Sequence, residues 1–160
     1  MRLDTSQALS GQTITFRRQA IDVRADLRPR WMVSAVVLIL AICGRTGRAS
    51  RQKVHALAWS LLSERTRHDF TAVLDGSDSP DSLSVRFDPT VNRAIDLAIG
   101  LGLARKHEGD RIELTELGVA LAASLRESRI LVTEATFLGA ARRRVSEANI
   151  ENVLYWRGIE

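Results

Sequence analysis

The hydrophobic positions of the chain recur mostly at helical spacing. From Trp31 to Cys43 only Ser34 is polar, and a helix that is apolar on every side is normally enclosed by protein. Helical periodicity resumes in five later segments. We predict helices from the N-cap Ser50 to Leu62, from Asp88 to Gly100 or Gly102, from the cap Thr115 through Leu117, Leu121 and Leu125, from Val132 to Arg144, and from Ser146 to Tyr155.

Short alternating segments predict the strands. Leu103–His107 and Arg111–Leu114 flank a Glu-Gly-Asp sequence, which is typical of a hairpin. Val85 and Phe87 suggest one more short strand, and alternation within the first thirty residues favours an edge strand or an extended arm. Residues 75–82 have the composition of a loop. The predicted fold class is therefore mainly α, of the α+β type.

Length and composition indicate one globular unit. The chain has 160 residues, of which 45% are hydrophobic and 26% are charged, so it is large enough to bury a core. Its single cysteine, Cys43, lies in the apolar run, which excludes internal disulfides and multi-cysteine metal sites and predicts a buried thiol. The first thirty residues lack a secretory apolar segment, and the apolar run is shorter than the ~20 residues of a membrane span. We expect a cytoplasmic protein without membrane contact.

The basic residues are unevenly distributed. Residues 1–53 contain ten basic and three acidic side chains, and 21 of the 23 basic residues in the whole chain are arginine. Arginine clusters suit phosphate or acidic partners, although a solvated turn, a helix C-terminus or a GC-rich genome would give similar patterns. The candidate contacts are Arg45, Arg48, Arg51 and Lys53 near a turn, Arg105, Lys106 and Arg111 on the hairpin, and Arg142, Arg143 and Arg144.

Other candidate residues are aromatic. His55 and Trp59, and Tyr155 and Trp156, would either line a partner interface or seal the edge of the core. The chain has no glycine-rich phosphate loop, no nucleophile elbow and no paired histidine and acid, and its histidines lack ligand spacing. We therefore expect no enzymatic activity, no cofactor and no metal.

The order of helices and strands is that of a winged helix. The segment LGLARKHEGDRIELTELGVALAASL, residues 101–125, resembles the wing and the following helix of bacterial winged helix-turn-helix proteins. In these proteins the third helix usually reads DNA. Here its predicted exposed arc offers one cation and one anion, so sequence-specific recognition is not expected. That arc comprises Asn92, Arg93, Asp96, Gly100 and Leu103.

Residues 31–62, including the segment GRTGRASRQKVHALAWSLL, together with residues 87–125 resemble a family of bacterial adapters. This family is the winged-helix middle component of three-component systems built on an SMC-like ABC ATPase, including Lamassu-type phage defence. The resemblance implies a non-enzymatic accessory subunit that bridges the ATPase, an effector subunit and the backbone of double-stranded DNA. The predicted organisation of the chain is an N-terminal arm or edge-strand segment at 1–30, to which the resemblance does not extend, a winged-helix domain at 31–128 and a C-terminal helical extension packed on it at 129–160.

Two other functions remain open. A winged-helix transcription regulator would act as a homodimer on two half-sites and would depend on Asn92 and Arg93. An interaction protein without nucleic-acid contact would use its arginines only on acidic protein surfaces.

Overall fold

The computed structural model describes residues 28–83, 85 and 88–155, so the predicted N-terminal arm lies outside the described residues. This part of the chain is mainly helical and contains a small antiparallel sheet of three strands. Its elements are α1 (Pro29–Cys43), β1 (Arg48–Ser50), α2 (Arg51–Ser60), α3 (Glu64–Leu74), a short 3-10 turn (Pro80–Ser82), α4 (Pro89–Gly100), β2 (Ala104–His107), β3 (Arg111–Leu114), α5 (Glu116–Glu127), α6 (Val132–Ala141) and α7 (Glu147–Tyr155).

Helix α1 is the centre of the core, as its sequence predicts. Pro29 opens the helix, where a missing backbone N–H costs nothing. Residues 35–40 are fully buried, and α1 contacts α2, α4, α5, α6 and β3. Gly44 is the C-cap of the helix, and a larger residue does not fit there because an added Cβ would collide with the carbonyl oxygen of Leu40. None of the helices in the described part of the chain is long and apolar enough to span a bilayer.

The sheet has the strand order β1-β3-β2. The hairpin of β2 and β3 confirms the sequence prediction, whereas the pairing of β1 with β3 was not predicted. A tight turn precedes β1: Arg45 and Arg48 exchange backbone hydrogen bonds of 2.8 and 3.2 Å, and Thr46 and Gly47 both have positive φ. Two successive positive φ angles match the right-handed twist of a two-stranded ribbon. Glycine adopts this conformation readily, which explains its presence at position 47.

Side-chain caps place the helices that surround the sheet, and three predicted caps are confirmed. Ser50 accepts a hydrogen bond from the Lys53 backbone N–H, and Asp88 and Thr115 cap α4 and α5 in the same way. These caps fix where the chain leaves β1 for α2 and where it leaves β3 for α5.

Several predictions need correction. Helix α3 was missed because only Phe70 and Val73 of it are buried, although Ser63 and Thr66 form a capping box. Val85 lies in no strand, and Phe87 is outside the described residues. Helix α6 ends at Ala141, three residues before the predicted end. The predicted apolar stripe of α5 is only partly buried, since the side chain of Leu117 is 57% exposed.

Helices α6 and α7 belong to the same hydrophobic core as the hairpin. Leu138, Val145, Ile150 and Val153 are buried in one cluster with residues of α1, α2 and α4. The Cys43 thiol lies 3.5 Å from the Leu138 carbonyl oxygen, and burial raises the pKa of this thiol to about 11. The expected buried cysteine is confirmed.

Leu38→Ala should lower the free energy of unfolding by about 2–5 kcal/mol, because it leaves a cavity in the tightly enclosed α1. Leu117→Ala is the matched control, with an expected loss below about 0.5 kcal/mol at an exposed helical site. Urea denaturation of both variants measures the difference. Equal losses would contradict the central role of α1.

Candidate nucleic-acid interface

The sheet brings two separate groups of predicted cations onto one surface. Residues directly opposite each other in antiparallel strands project from the same side of a sheet. Arg45 faces Arg48 across the turn, Arg48 faces Glu113, and Glu113 faces Arg105. The turn and the hairpin therefore contribute to a single row.

A second row lies two residues along the strands. It consists of Ser50, Arg111 and His107, which are also paired directly. The opposite side of the sheet packs on the core through Ala49, Ile112 and Leu114. We call the side away from the core the outer face, and its members are Arg45, Arg48, Ser50, Arg105, His107, Arg111 and Glu113.

Glu113 is the acidic centre of the outer face. Its carboxylate accepts hydrogen bonds from Arg48 Nη2 at 2.7 Å and Arg105 Nε at 2.9 Å, and His107 Nδ1 lies at 3.8 Å. These two arginines lower the pKa of Glu113 to about 2. Arg45 and Arg111 are exposed and make no ion pair with any described residue. The outer face thus carries four arginines against one carboxylate of its own.

Three cations of the turn and hairpin groups do not join this face. Lys106 faces Ile112 in the register and so projects from the other side of the hairpin. Arg51 turns towards the hairpin tip and α4, where its Nε donates to Asp110 at 3.2 Å and its Nη1 donates to Asn92 at 3.0 Å.

Lys53 is the third, and its position corrects the expectation of a surface cation. The residue is only 5% exposed, and burial lowers the pKa of its ammonium, opposed by the nearby Glu147. Glu147 also accepts hydrogen bonds from the Ser50 backbone N–H at 3.1 Å and hydroxyl at 2.6 Å. This carboxylate therefore borders the outer face and fixes α7 to the start of α2.

His55 is a core residue, which corrects its prediction as a partner contact. It is 1% exposed, and its Nε2 donates to Asn92 Oδ1 at 3.0 Å. Burial lowers the pKa of this imidazole. Asn92 is consequently half-buried and bonded to two residues of α2, whereas the sequence predicted it to be exposed.

The exposed side of α4 differs from the predicted arc in other ways. Leu103 is buried, and the exposed apolar residues Leu97 and Leu101 were missed. Arg93, Asp96 and Gly100 are exposed as predicted. This side of α4 therefore has little capacity to read bases, because it offers one cation, one anion and two leucines.

The remaining candidates lie apart from the outer face. Arg142 and Arg143 are exposed after α6, and Arg144 forms an ion pair with Asp75 at the end of α3. Trp59 is partly buried against the core. Tyr155 ends α7, and its side chain and the whole of Trp156 lie outside the described residues.

Among the residues that the structure describes, no group of three or more His, Cys, Asp or Glu side chains is placed to hold a metal ion. Comparison of the chain with protein-family models, curated proteins and solved structures found no match.

His55 should make the stability of the protein fall on mild acidification. The pKa of His55 is lowered in the folded state, so the unfolded chain takes up the proton first as the pH falls. The free energy of unfolding is therefore retained above the ordinary histidine pKa of 6.5 and decreases below it. Asn92, Arg51, Asp88 and Asp110 are the groups around the imidazole, and neighbouring carboxylates only partly oppose this effect.

His55→Gln keeps a donor for Asn92 and removes the titration. Between pH 6.5 and 5 the wild type should lose up to about 1.4 kcal/mol per pH unit more than the variant. Denaturation series across this range measure both slopes, and parallel curves would contradict the assignment.

Proposed function

We propose that the protein is a non-enzymatic winged-helix adapter that contacts the DNA backbone through the outer face. The succession α1, β1, α2, α4, β2 and β3, with β3 between β1 and β2, supports this proposal, because it matches the order of a winged helix when α3 is taken as an insertion. In this interpretation α4 is the third helix and the β2–β3 hairpin is the wing.

The observation that carries the proposal is the contrast between the outer face and α4. Four arginines of the outer face are suited to phosphate oxygens, because a planar guanidinium matches their geometry. Asn92, which a base-reading helix would direct at the DNA, is instead held by Arg51 and His55. Backbone contacts carry no direct sequence information, so this arrangement favours binding to DNA of any sequence.

The proposed partners follow from the sequence resemblance. Residues 31–62 and 87–125 resemble the middle component of systems built around an SMC-like ABC ATPase, and such a subunit joins the ATPase to DNA and to an effector in antiviral defence. We propose this role in the cytoplasm, without a cofactor. Contact with phosphate rather than bases is what an accessory subunit of this kind requires.

Affinity purification of the tagged protein from its native host tests the assembly. We expect stoichiometric recovery of a large coiled-coil ATPase, unchanged by nuclease, because the adapter contacts the ATPase directly. Recovery of a homodimer alone, together with specific DNA fragments, would contradict the adapter and support the transcription regulator.

The purified protein should bind two duplexes of unrelated sequence with similar affinity. Arg93→Ala, on the exposed side of α4, should leave both affinities unchanged, whereas Arg111→Ala should weaken both and reduce the slope of log K against log salt by about 1. Fluorescence anisotropy measures these affinities. A preference for one duplex that Arg93→Ala abolishes would favour a regulator.

A further inference from the structure

Glu113 lies between two arginines of the outer face and accepts hydrogen bonds that a phosphate could also accept. Its two carboxylate oxygens are bonded to Arg48 and Arg105, which flank it on neighbouring strands. We propose that the outer face binds consecutive phosphates of duplex nucleic acid, and that Glu113 is an internal competitor that a phosphate displaces and that sets the affinity. This inference rests on the DNA contact in the proposed function.

The spacing of the arginines suits a phosphate backbone. Neighbouring strands lie ~4.8 Å apart and alternate residues along a strand ~6.8 Å apart. Arg45 and Arg105 therefore stand roughly 14 Å from each other, at the two ends of the first row, and Arg111 extends the surface along β3. A surface of this size can face more than one phosphate of a single strand.

The arginines held by Glu113 retain unused donors. A guanidinium has five N–H groups, and Glu113 receives one hydrogen bond from Arg48 and one from Arg105. Arg48 Nε is buried and has no acceptor among the described residues. A phosphate presents more acceptor oxygens than this carboxylate and can accept from both arginines as they reorient.

The outer face favours duplex backbone over other polyanions. The imidazole of His107 is the one aromatic ring among its seven members, and there is no phenyl, phenol or indole ring, so unpaired bases have less to stack on than in an aromatic-lined groove. The seven members also include no aliphatic side chain that would insert below lipid headgroups. The arginines can therefore recognise mainly closely spaced negative charge. Duplex DNA offers this, since it carries one negative charge per ~1.7 Å of its axis.

Glu113→Gln tests the competitor directly. The change keeps the shape of the side chain and removes its charge, so Arg48 and Arg105 lose their charge-assisted bonds and turn more easily to phosphate. On a duplex at about 50 mM salt we expect binding on the order of tenfold tighter than in the wild type, with the salt slope steeper by roughly one to two. Glu127→Gln is the matched control, because it changes the net charge equally at the exposed end of α5, and it should alter the affinity by less than about twofold.

The outcomes separate this inference from the proposed function. Duplex binding by the wild type, with Glu113→Gln no tighter than Glu127→Gln, would overturn the competitor and leave the adapter intact. Failure of both the wild type and Glu113→Gln to bind the duplex would overturn the DNA contact as well. Equal or tighter binding to phosphatidylserine vesicles in the same assay would overturn the choice of nucleic acid.

A second pair of variants tests the outer face as the phosphate-binding surface even if Glu113→Gln misfolds. Arg45→Ala removes an exposed cation without an ion pair among the described residues, and Arg126→Ala removes one from α5. Arg45→Ala should weaken duplex binding about threefold to tenfold and lower the salt slope by about 1, whereas Arg126→Ala should change neither. Equal effects of both variants would overturn the outer face as the binding surface.

Discussion

The fold is built around one apolar helix, α1, which the other elements shield from water. Helix α1 is buried over six consecutive residues, so no side of it is available to water at its centre. Burial of this kind requires neighbours in every direction, and α2, α4, α5, α6 and β3 supply them. The hairpin and the C-terminal helices are therefore stabilised by the same core, and the outer face is held on a rigid support.

The start of α2 is the second constraint, and it is electrostatic. Its first turn contains Arg51 and Lys53 and no acid, although the N-terminus of a helix is already the positive end of its dipole. Asp110 at the hairpin tip, 59 residues from Arg51, forms an ion pair with it. Glu147 of α7 is hydrogen-bonded to Ser50, 97 residues away, and its charge acts on Lys53. The cations of α2 thus link distant elements and are used for folding.

The elements with strong local signals could be predicted from the sequence. The apolar run gave α1, and the caps Ser50, Asp88 and Thr115 marked the starts of α2, α4 and α5. Helix α3 lacked an apolar stripe, and β1 is only three residues long, so neither had a periodic signal to detect. The cations of the site were identified, but their grouping depends on the pairing of β1 with β3, which joins Arg48 to Glu113 across 65 residues.

Arg48 and Arg51 show why sequence neighbours acquired different roles. Arg48 lies on a strand, where pairing places it beside Glu113 on the outer face, whereas Arg51 opens a helix and turns towards Asn92. The hydrogen bond from Arg51 occupies the amide oxygen of Asn92, which a base-reading helix would present to DNA. The hydrogen bond from Arg48 to Glu113 leaves other guanidinium N–H groups available to a phosphate. In the proposed function, phosphate contacts position the protein without reading sequence, so the choice of DNA site would come from outside this surface. This arrangement agrees with the proposal of a subunit that works within a larger complex.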